Sequence, residues 1–133
     1  MLPRLLLDTH VLVRWLIESK RLSREQDRTI EAAMLRSEPL AISAMTVLEL
    51  AMLVSEGRIN LNRPLDQFLG DLASNAGVRL LPITFEIALE AAALRPLRDP
   101  ADRAIVGTAR VHRLRLVTSD QHIIDSNLVP VIE

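Results

Sequence analysis

Four acidic residues stand where their sequence neighbours are apolar, and they are the residues of this chain best suited to chemistry. They are Asp8, Glu49, Asp102 and Asp120. Asp8 ends a run of three leucines, and Glu49 is the single charged residue in the segment 44–54. A carboxylate that leaves water without a partner is strongly unfavourable, so such acids become protonated, pair with a base or bind metal. Because none has an obvious basic partner nearby in sequence, the four predict one shared site for a divalent cation.

The residue types indicate both the metal and the reaction. Oxygen ligands and a chain without cysteine favour Mg²⁺ or Mn²⁺ over zinc. His10, His112 and His122 lack the close spacing of metal ligands and are predicted to be surface or packing residues. Two ions about 3.5–4 Å apart can polarise a phosphate, activate water and stabilise the leaving oxygen. Without a cysteine nucleophile or a serine triad, the chemistry best matched to four acids is metal-assisted phosphodiester hydrolysis.

Each acid also has a simpler structural interpretation. Asp8 could cap the helix that follows it, and Asp120 could form an Asx-turn. Asp102 could complete a capping box with Asp99, and Glu49 could pair with a buried arginine. One shared site accounts for all four acids together, so we prefer it.

Composition limits the class of protein. With 133 residues, 49% of them hydrophobic and 25% charged, residues 1–133 are predicted to form a single domain of an ordinary globular protein. No cysteine is available for a disulfide, and no glycine-rich phosphate loop is present. The N-terminus has no signal-peptide pattern, and no apolar stretch approaches the roughly 20 residues needed to span a bilayer. We therefore expect a cytoplasmic protein without a membrane partner.

Charge and aromatic content limit how the chain could contact nucleic acid. A net charge of −1 excludes a generally basic nucleic-acid binder. Fifteen of the 16 basic residues are arginine, which suits phosphate recognition, although a genome rich in GC also favours this residue. Only three aromatic residues are present, so any contact with nucleic acid would depend on phosphates more than on stacked bases.

Short apolar runs alternate with helical patterns, which predicts an α/β fold with a mainly parallel five-stranded sheet. The predicted strands are Arg4–Asp8, Leu40–Ser43, Arg79–Ile83, Arg115–Ser119 and Leu128–Ile132. The predicted helices run from Asp8 to Glu18, from the capping box at 23–26 to Ser37, from Ala44 to Glu56 with a stop at Gly57, from Pro64 to Asn75, from Thr84 to Leu94, and from Asp99 to His112.

This arrangement brings the acids to one edge of the sheet. Asp8 and Asp120 follow strands one and four, which are neighbours in a 3-2-1-4-5 order, and ligands bind outside the carboxyl ends of such strands. Glu49 and Asp102 fall in the first or second turn of helices that begin at the same edge. Helical spacing places each of these two acids on a stripe with apolar residues, away from an evident solvent face.

Four sequence blocks in register resemble the PIN domain, and more closely VapC, the toxin half of bacterial VapBC toxin–antitoxin pairs. The blocks are LLLDTHVLVRW at 5–15, ISAMTVLEL at 42–50, RDPADRAIVGTA at 98–109 and LVTSD at 116–120. The resemblance covers essentially the whole chain. It implies a PIN-like three-layer α/β/α domain and an Mg²⁺- or Mn²⁺-dependent endoribonuclease.

The resemblance also implies roles for individual residues. Asp8, Glu49 and Asp102 would be metal ligands, and Asp120 would be the fourth acid, often acting through water. The supporting residues would be Thr9 and Thr118, which orient ligands or water, Asp99, chiefly as a helix cap, and Arg103, which could hold a carboxylate or phosphate.

Partners follow from the same resemblance. It implies an RNA substrate, a homodimer and an inhibitory VapB-type antitoxin, one of whose basic side chains could lie near the acids. Val11, Leu12, Trp15 and Ile17 on the first helix add modest support for an interface, because they offer more apolar surface than a short helix needs.

Three alternatives remain open at this point. The first is a PIN-type nuclease of RNA processing or decay without a toxin role. The second is a receiver-like or phosphatase-like domain that uses Asp8 as a phosphoryl acceptor; it lacks an acid at position 10 and a late lysine. The third, a purely structural binding module, leaves the four acids unexplained.

Overall fold

A five-stranded, all-parallel sheet with helices on both faces organises the molecule. The computed structural model describes all residues, 1–133. The strands are β1 (Leu5–Leu7), β2 (Leu40–Ser43), β3 (Val78–Leu81), β4 (Arg115–Val117) and β5 (Val131–Ile132). Their order across the sheet is β3-β2-β1-β4-β5, and every neighbouring pair is parallel. The predicted fold class and strand order are confirmed.

Seven α-helices connect and cover these strands. They are α1 (Thr9–Ile17), α2 (Arg24–Leu35), α3 (Ala44–Ser55), α4 (Leu65–Ser74), α5 (Phe85–Ala93), α6 (Pro100–His112) and α7 (Gln121–Ser126). Six were predicted within a few residues at each end. The sequence analysis missed α7, because six residues are too few to display a helical period. None of the helices is both long enough and apolar enough to cross a membrane.

Alternation along the central strand divides the core into two layers. Leu6 points into the layer formed with α6, whose Ile105, Val106 and Ala109 are buried there. Leu5 and Leu7 point into the opposite layer, which includes residues of α1 and α2. A parallel strand covered on both faces needs apolar residues at every position, which is why β1 is three consecutive leucines.

Local signals fix where several helices begin and end. The capping box is confirmed: the Ser23 hydroxyl accepts from the backbone N–H of Gln26, and the Gln26 side chain accepts from the Ser23 N–H. Gly57 follows α3 with a φ of 72°, a conformation that glycine adopts without strain. The last strand is shorter than predicted, because Pro130 lacks the N–H that would extend the ladder.

The apolar residues considered on two helix faces divide between the core and the surface. Val11 and Leu12 are fully buried in the core, so they offer no surface to a partner, whereas Ile17 is exposed. Met52, expected on the same stripe as Glu49, is 51% exposed. The stripe on α6 that continues from Asp102 is buried as expected.

Candidate active site

Parallel pairing of β1 with β4 places two acid-bearing segments side by side. Leu7 is in register with Val117, so the next residues, Asp8 and Thr118, leave the sheet together. The backbone N–H of Asp8 donates to the Val117 carbonyl oxygen at 3.0 Å, which extends the strand pairing to the acid itself. Asp120 lies two residues farther along the second segment. The carboxyl edge of the sheet therefore positions two of the four acids.

Asp8 is held by hydrogen bonds to both carboxylate oxygens. Its Oδ1 accepts from the Thr9 N–H at 2.9 Å and caps α1. Its Oδ2 accepts from the Thr118 hydroxyl at 2.7 Å. The residue is only 4% exposed, so this pair of bonds compensates a carboxylate that has left bulk water. The two hydrogen bonds fix the orientation of the Asp8 carboxylate.

Glu49 is drawn to the same edge by a buried pair of threonines. The Thr9 hydroxyl donates to Glu49 Oε1 at 2.6 Å and lies 3.0 Å from the Thr46 hydroxyl. Thr46 is fully buried one turn before Glu49 on α3. No arginine pairs with Glu49, so the expected structural alternative for this acid does not occur. The sequence analysis did not identify Thr46, although its spacing of three from Glu49 is a helical signal.

Two acids at the site also cap helices. Asp120 accepts from the N–H of His122 at 2.9 Å and begins α7, while its own N–H donates to the Thr118 hydroxyl. Asp99 accepts from the Ala101 N–H at 2.8 Å and begins α6. Capping and membership of an acidic site are therefore compatible, because a helix N-terminus favours negative charge.

The carboxyl group of Asp102 is influenced by all the other acids of the site. Burial, followed by repulsion from Asp120, Asp99, Asp8 and Glu49 in that order, raises the pKa of its carboxyl to about 7. Burial also raises the pKa of Glu49 and outweighs the Thr9 hydrogen bond, which lowers it; repulsion from Asp8 and Asp99 adds smaller upward shifts. These shifts show that the acids of four separate segments act on one another.

The donor set fits a hard divalent cation, although the side chains do not close around one. No three acidic or histidine side chains form a ready ligating group. The four acids gather at one edge of the sheet and influence one another, but their carboxylates do not form a closed set of ligands. Oxygen-only donors with raised pKa values are the set that a hard cation would stabilise.

Ser119, which lies between Thr118 and Asp120, is held by side chains from α1 and α2. The sequence analysis did not identify this residue. The Ser119 N–H donates to His10 Nε2 at 2.8 Å. Its hydroxyl accepts from the fully buried Gln26 amide at 2.9 Å and from Arg14 at 3.4 Å. Because Nε2 accepts, the proton of His10 lies on Nδ1, 3.5 Å from the carboxylate of Asp8. Burial lowers the pKa of His10, which keeps the ring neutral at the rim of the site.

Arg103 has a structural contact in place of the predicted anionic partner. Its Nε donates to the carbonyl oxygen of Leu97, which fixes the loop before α6. That loop borders a cavity of about 630 Å³ next to the acids. Its lining includes Asp99, Asp102, Asp120, Arg98 and His122. His122 is therefore beside the site, whereas His112 is exposed at the far end of α6.

Removing the Asp102 charge should stabilise the metal-free protein at alkaline pH. A raised carboxyl pKa means that the folded state keeps a proton that the unfolded state has lost, so this contribution to stability disappears as pH rises from 3.8 through about 7. Asp102→Asn should therefore increase Tm in EDTA at about pH 8, by roughly 3 °C, or about 1 kcal/mol for a half-exposed group. Near pH 4 the two proteins should melt together.

Calorimetry of both proteins across this pH range measures the effect. Added Mg²⁺ should stabilise the unaltered protein and not the variant. A variant that melts at or below the unaltered chain at about pH 8 in EDTA would contradict the repulsion described for Asp102. Glu31→Gln, an exposed acid on α2, serves as the control that removes charge elsewhere.

Comparison of the sequence with known proteins relates this chain to one family and to a named relative. A family model described as "PIN domain" matches residues 5–126. Ribonuclease VapC22 of Mycobacterium tuberculosis (strain ATCC 25618 / H37Rv) is 41% identical over 120 residues, which cover 89% of this chain and 88% of that protein.

Solved structures share the architecture over nearly the whole chain. VapBC2 from Rickettsia felis, solved bound to a DNA fragment from its promoter, superposes with a TM-score of 0.72 at 16% identity, covering 98% of this chain and 97% of that one. A toxin–antitoxin complex from Klebsiella pneumoniae gives 0.67 at 24% identity, covering 96% and 95%. With a family match over residues 5–126 and a close VapC relative, the chain belongs to the PIN domain family, within its VapC branch.

Proposed function

We propose that this protein is a metal-dependent endoribonuclease that hydrolyses RNA phosphodiester bonds at Asp8, Glu49, Asp102 and Asp120. The observation that carries the proposal is geometric: the pairing of β1 with β4 places Asp8 beside the segment that bears Asp120, and Asp102 and Asp120 line one cavity at this edge. Burial and the surrounding acids also raise the pKa of Asp102, which is consistent with this arrangement. So many carboxylates at one sheet edge destabilise the protein unless a cation neutralises them. The 41% identity to a protein named as a ribonuclease supports the same reaction class.

Each residue has a distinct role in the proposed mechanism. Asp8, Glu49 and Asp102 would hold Mg²⁺ or Mn²⁺, with Asp120 acting through water. When bound, the cation supplies positive charge that polarises the phosphate and favours ionisation of the attacking water. The Thr9 hydroxyl orients the Glu49 carboxylate, and the Thr118 hydroxyl orients that of Asp8. These hydrogen bonds fix the orientation in which each carboxylate would meet a ligand.

The proposed biological role is that of the toxin in a type II toxin–antitoxin pair, acting on cytoplasmic RNA and inhibited by a VapB-type antitoxin. The relative named Ribonuclease VapC22 supports this role. A PIN nuclease of RNA processing would share the site chemistry but would not require an inhibitory partner.

Loss of one acid should abolish cleavage. We expect purified protein to cut total cellular RNA with Mg²⁺ or Mn²⁺ and not with EDTA. Asp102→Asn should reduce the rate by more than the roughly 10–100-fold that loss of an outer partner typically costs, because it removes a proposed ligand. Glu31→Gln should cut as fast as the unaltered chain. Full activity in Asp102→Asn, with fragment ends unchanged, would defeat the site assignment.

Expression in a bacterial host should separate toxin from processing nuclease. Induction of the unaltered chain should arrest growth, because uncontrolled RNA cleavage stops translation, and Asp102→Asn should not. Co-expression of the matched antitoxin should restore growth. Normal growth during strong expression of an active enzyme would favour the RNA-processing alternative.

We propose that the protein is a homodimer whose interface includes α5. Phe85 and Leu89 lie one helical turn apart on this helix and are 98% and 76% exposed. Together they form an apolar face whose exposure to water is unfavourable. This face replaces the interface expected on α1, since Val11 and Leu12 belong to the core.

Replacing this face should produce monomers. The double variant Phe85→Ser, Leu89→Ser should have the mass of one chain by light scattering at concentrations where the unaltered protein has the mass of two. Its Tm as a monomer should be little affected by lost core packing, because neither side chain is buried. Leu35→Ser, which changes an exposed leucine of α2, is the matched control and should remain dimeric. A dimeric double variant would exclude α5 from the interface.

A further inference from the structure

One arginine beside the acidic cluster has no partner within the protein. Arg98 lines the 630 Å³ cavity together with Asp99, Asp102 and Asp120, yet it forms no ion pair and donates no side-chain hydrogen bond. An arginine so near three carboxylates would ordinarily pair with one of them. Its guanidinium is therefore available to a ligand.

The protein uses the neighbouring polar groups for other contacts. Asp99 and Asp120 each accept from backbone N–H groups at the start of a helix. Arg103 donates to the Leu97 carbonyl oxygen, immediately before Arg98. The backbone on both sides of Arg98 is thus anchored while its side chain is exposed. The positive charge of Arg98 therefore lies at the rim of the cavity and forms no ion pair with another residue of the protein.

The lining of the cavity indicates what kind of ligand fits. Besides the three acids it contains one guanidinium, the imidazole of His122 and the side chains of Pro96 and Leu97, with no phenylalanine, tyrosine or tryptophan. The small imidazole is the single ring on which a base could stack, whereas the guanidinium matches the geometry of a phosphate. The His122 side chain also has no hydrogen-bond partner and adds a second polar group.

We propose that this cavity holds the RNA backbone next to the bond that is cut, with Arg98 binding a phosphate adjoining the scissile one. The inference rests on the proposed nuclease function and specifies the contact that its substrate makes. The contact neutralises charge and reads no base, so it strengthens binding to all sequences alike.

The salt dependence of RNA binding tests this contact directly. Affinity for a short, fluorescein-labelled single-stranded RNA of random sequence would be measured by anisotropy between about 50 and about 200 mM salt with Mg²⁺ present. All proteins would carry Asp102→Asn so that the probe is not cut. Removing one phosphate contact from a single strand should lower the slope of log K against log salt by about 0.7.

Three substitutions distinguish a phosphate contact from a structural effect. Arg98→Ala should weaken binding roughly 10-fold and show the reduced slope. Arg98→Lys should retain the slope, because an ammonium group also neutralises a phosphate. Arg115→Ala removes an exposed arginine at the opposite edge of the sheet and should match the parent. In the otherwise unaltered enzyme, Arg98→Ala should raise KM about 10-fold and change kcat by less than about twofold.

The outcomes of these experiments distinguish the Arg98 contact from the proposed nuclease function. An unchanged slope in Arg98→Ala, or an equal loss in Arg115→Ala, would overturn the contact while RNA cleavage by the unaltered enzyme still stood. A large fall in kcat with unchanged binding would also overturn it, because Arg98 would then act on the reaction itself. Conversely, a reduced slope without cleavage by the unaltered protein would retain the contact and reject the nuclease.

Discussion

Parallel pairing between β1 and β4 is the interaction on which the rest of the site depends. It matches Leu7 with Val117, and so delivers Asp8 and Thr118 to the same point with a 2.7 Å hydrogen bond between them. A slip of one residue would exchange the two faces of either strand and remove Asp8 from its partner. Both strands are buried on both faces, so the apolar core that stabilises the domain also fixes the register of its acids.

Electrostatic repulsion at that edge is the cost of this arrangement. The fold offsets part of it by placing acids at helix N-termini, where Asp8, Asp99 and Asp120 accept backbone N–H groups. Burial and then repulsion from the surrounding acids raise the pKa of Asp102 to about 7, and this carboxyl accepts no backbone hydrogen bond that would offset them. A scaffold that holds like charges together in this way exchanges stability for affinity toward cations.

Much of the fold could be predicted from short-range patterns, whereas the contacts that build the site could not. Three leucines before Asp8 and a capping box at Ser23 are signals within a few residues, and both proved informative. The Thr9–Glu49 bond spans 40 residues and the Gln26–Ser119 bond spans 93. Such contacts depend on tertiary packing, which no local period encodes. The spacing of His10 predicted a surface or packing residue, but could not predict its hydrogen bond with Ser119, which lies 109 residues away in sequence.

The late position of β4 along the chain has a consequence for synthesis on the ribosome. This strand inserts between β1 and β5, and the residues after it supply Thr118, Ser119 and Asp120. Until it has been made, β1 has an unpaired edge, and Asp8 lacks the hydroxyl that orients it. A nascent chain therefore carries three of the acids without the frame that aligns them. The site can be completed only when Thr118, Ser119 and Asp120, which follow β4, have been synthesised.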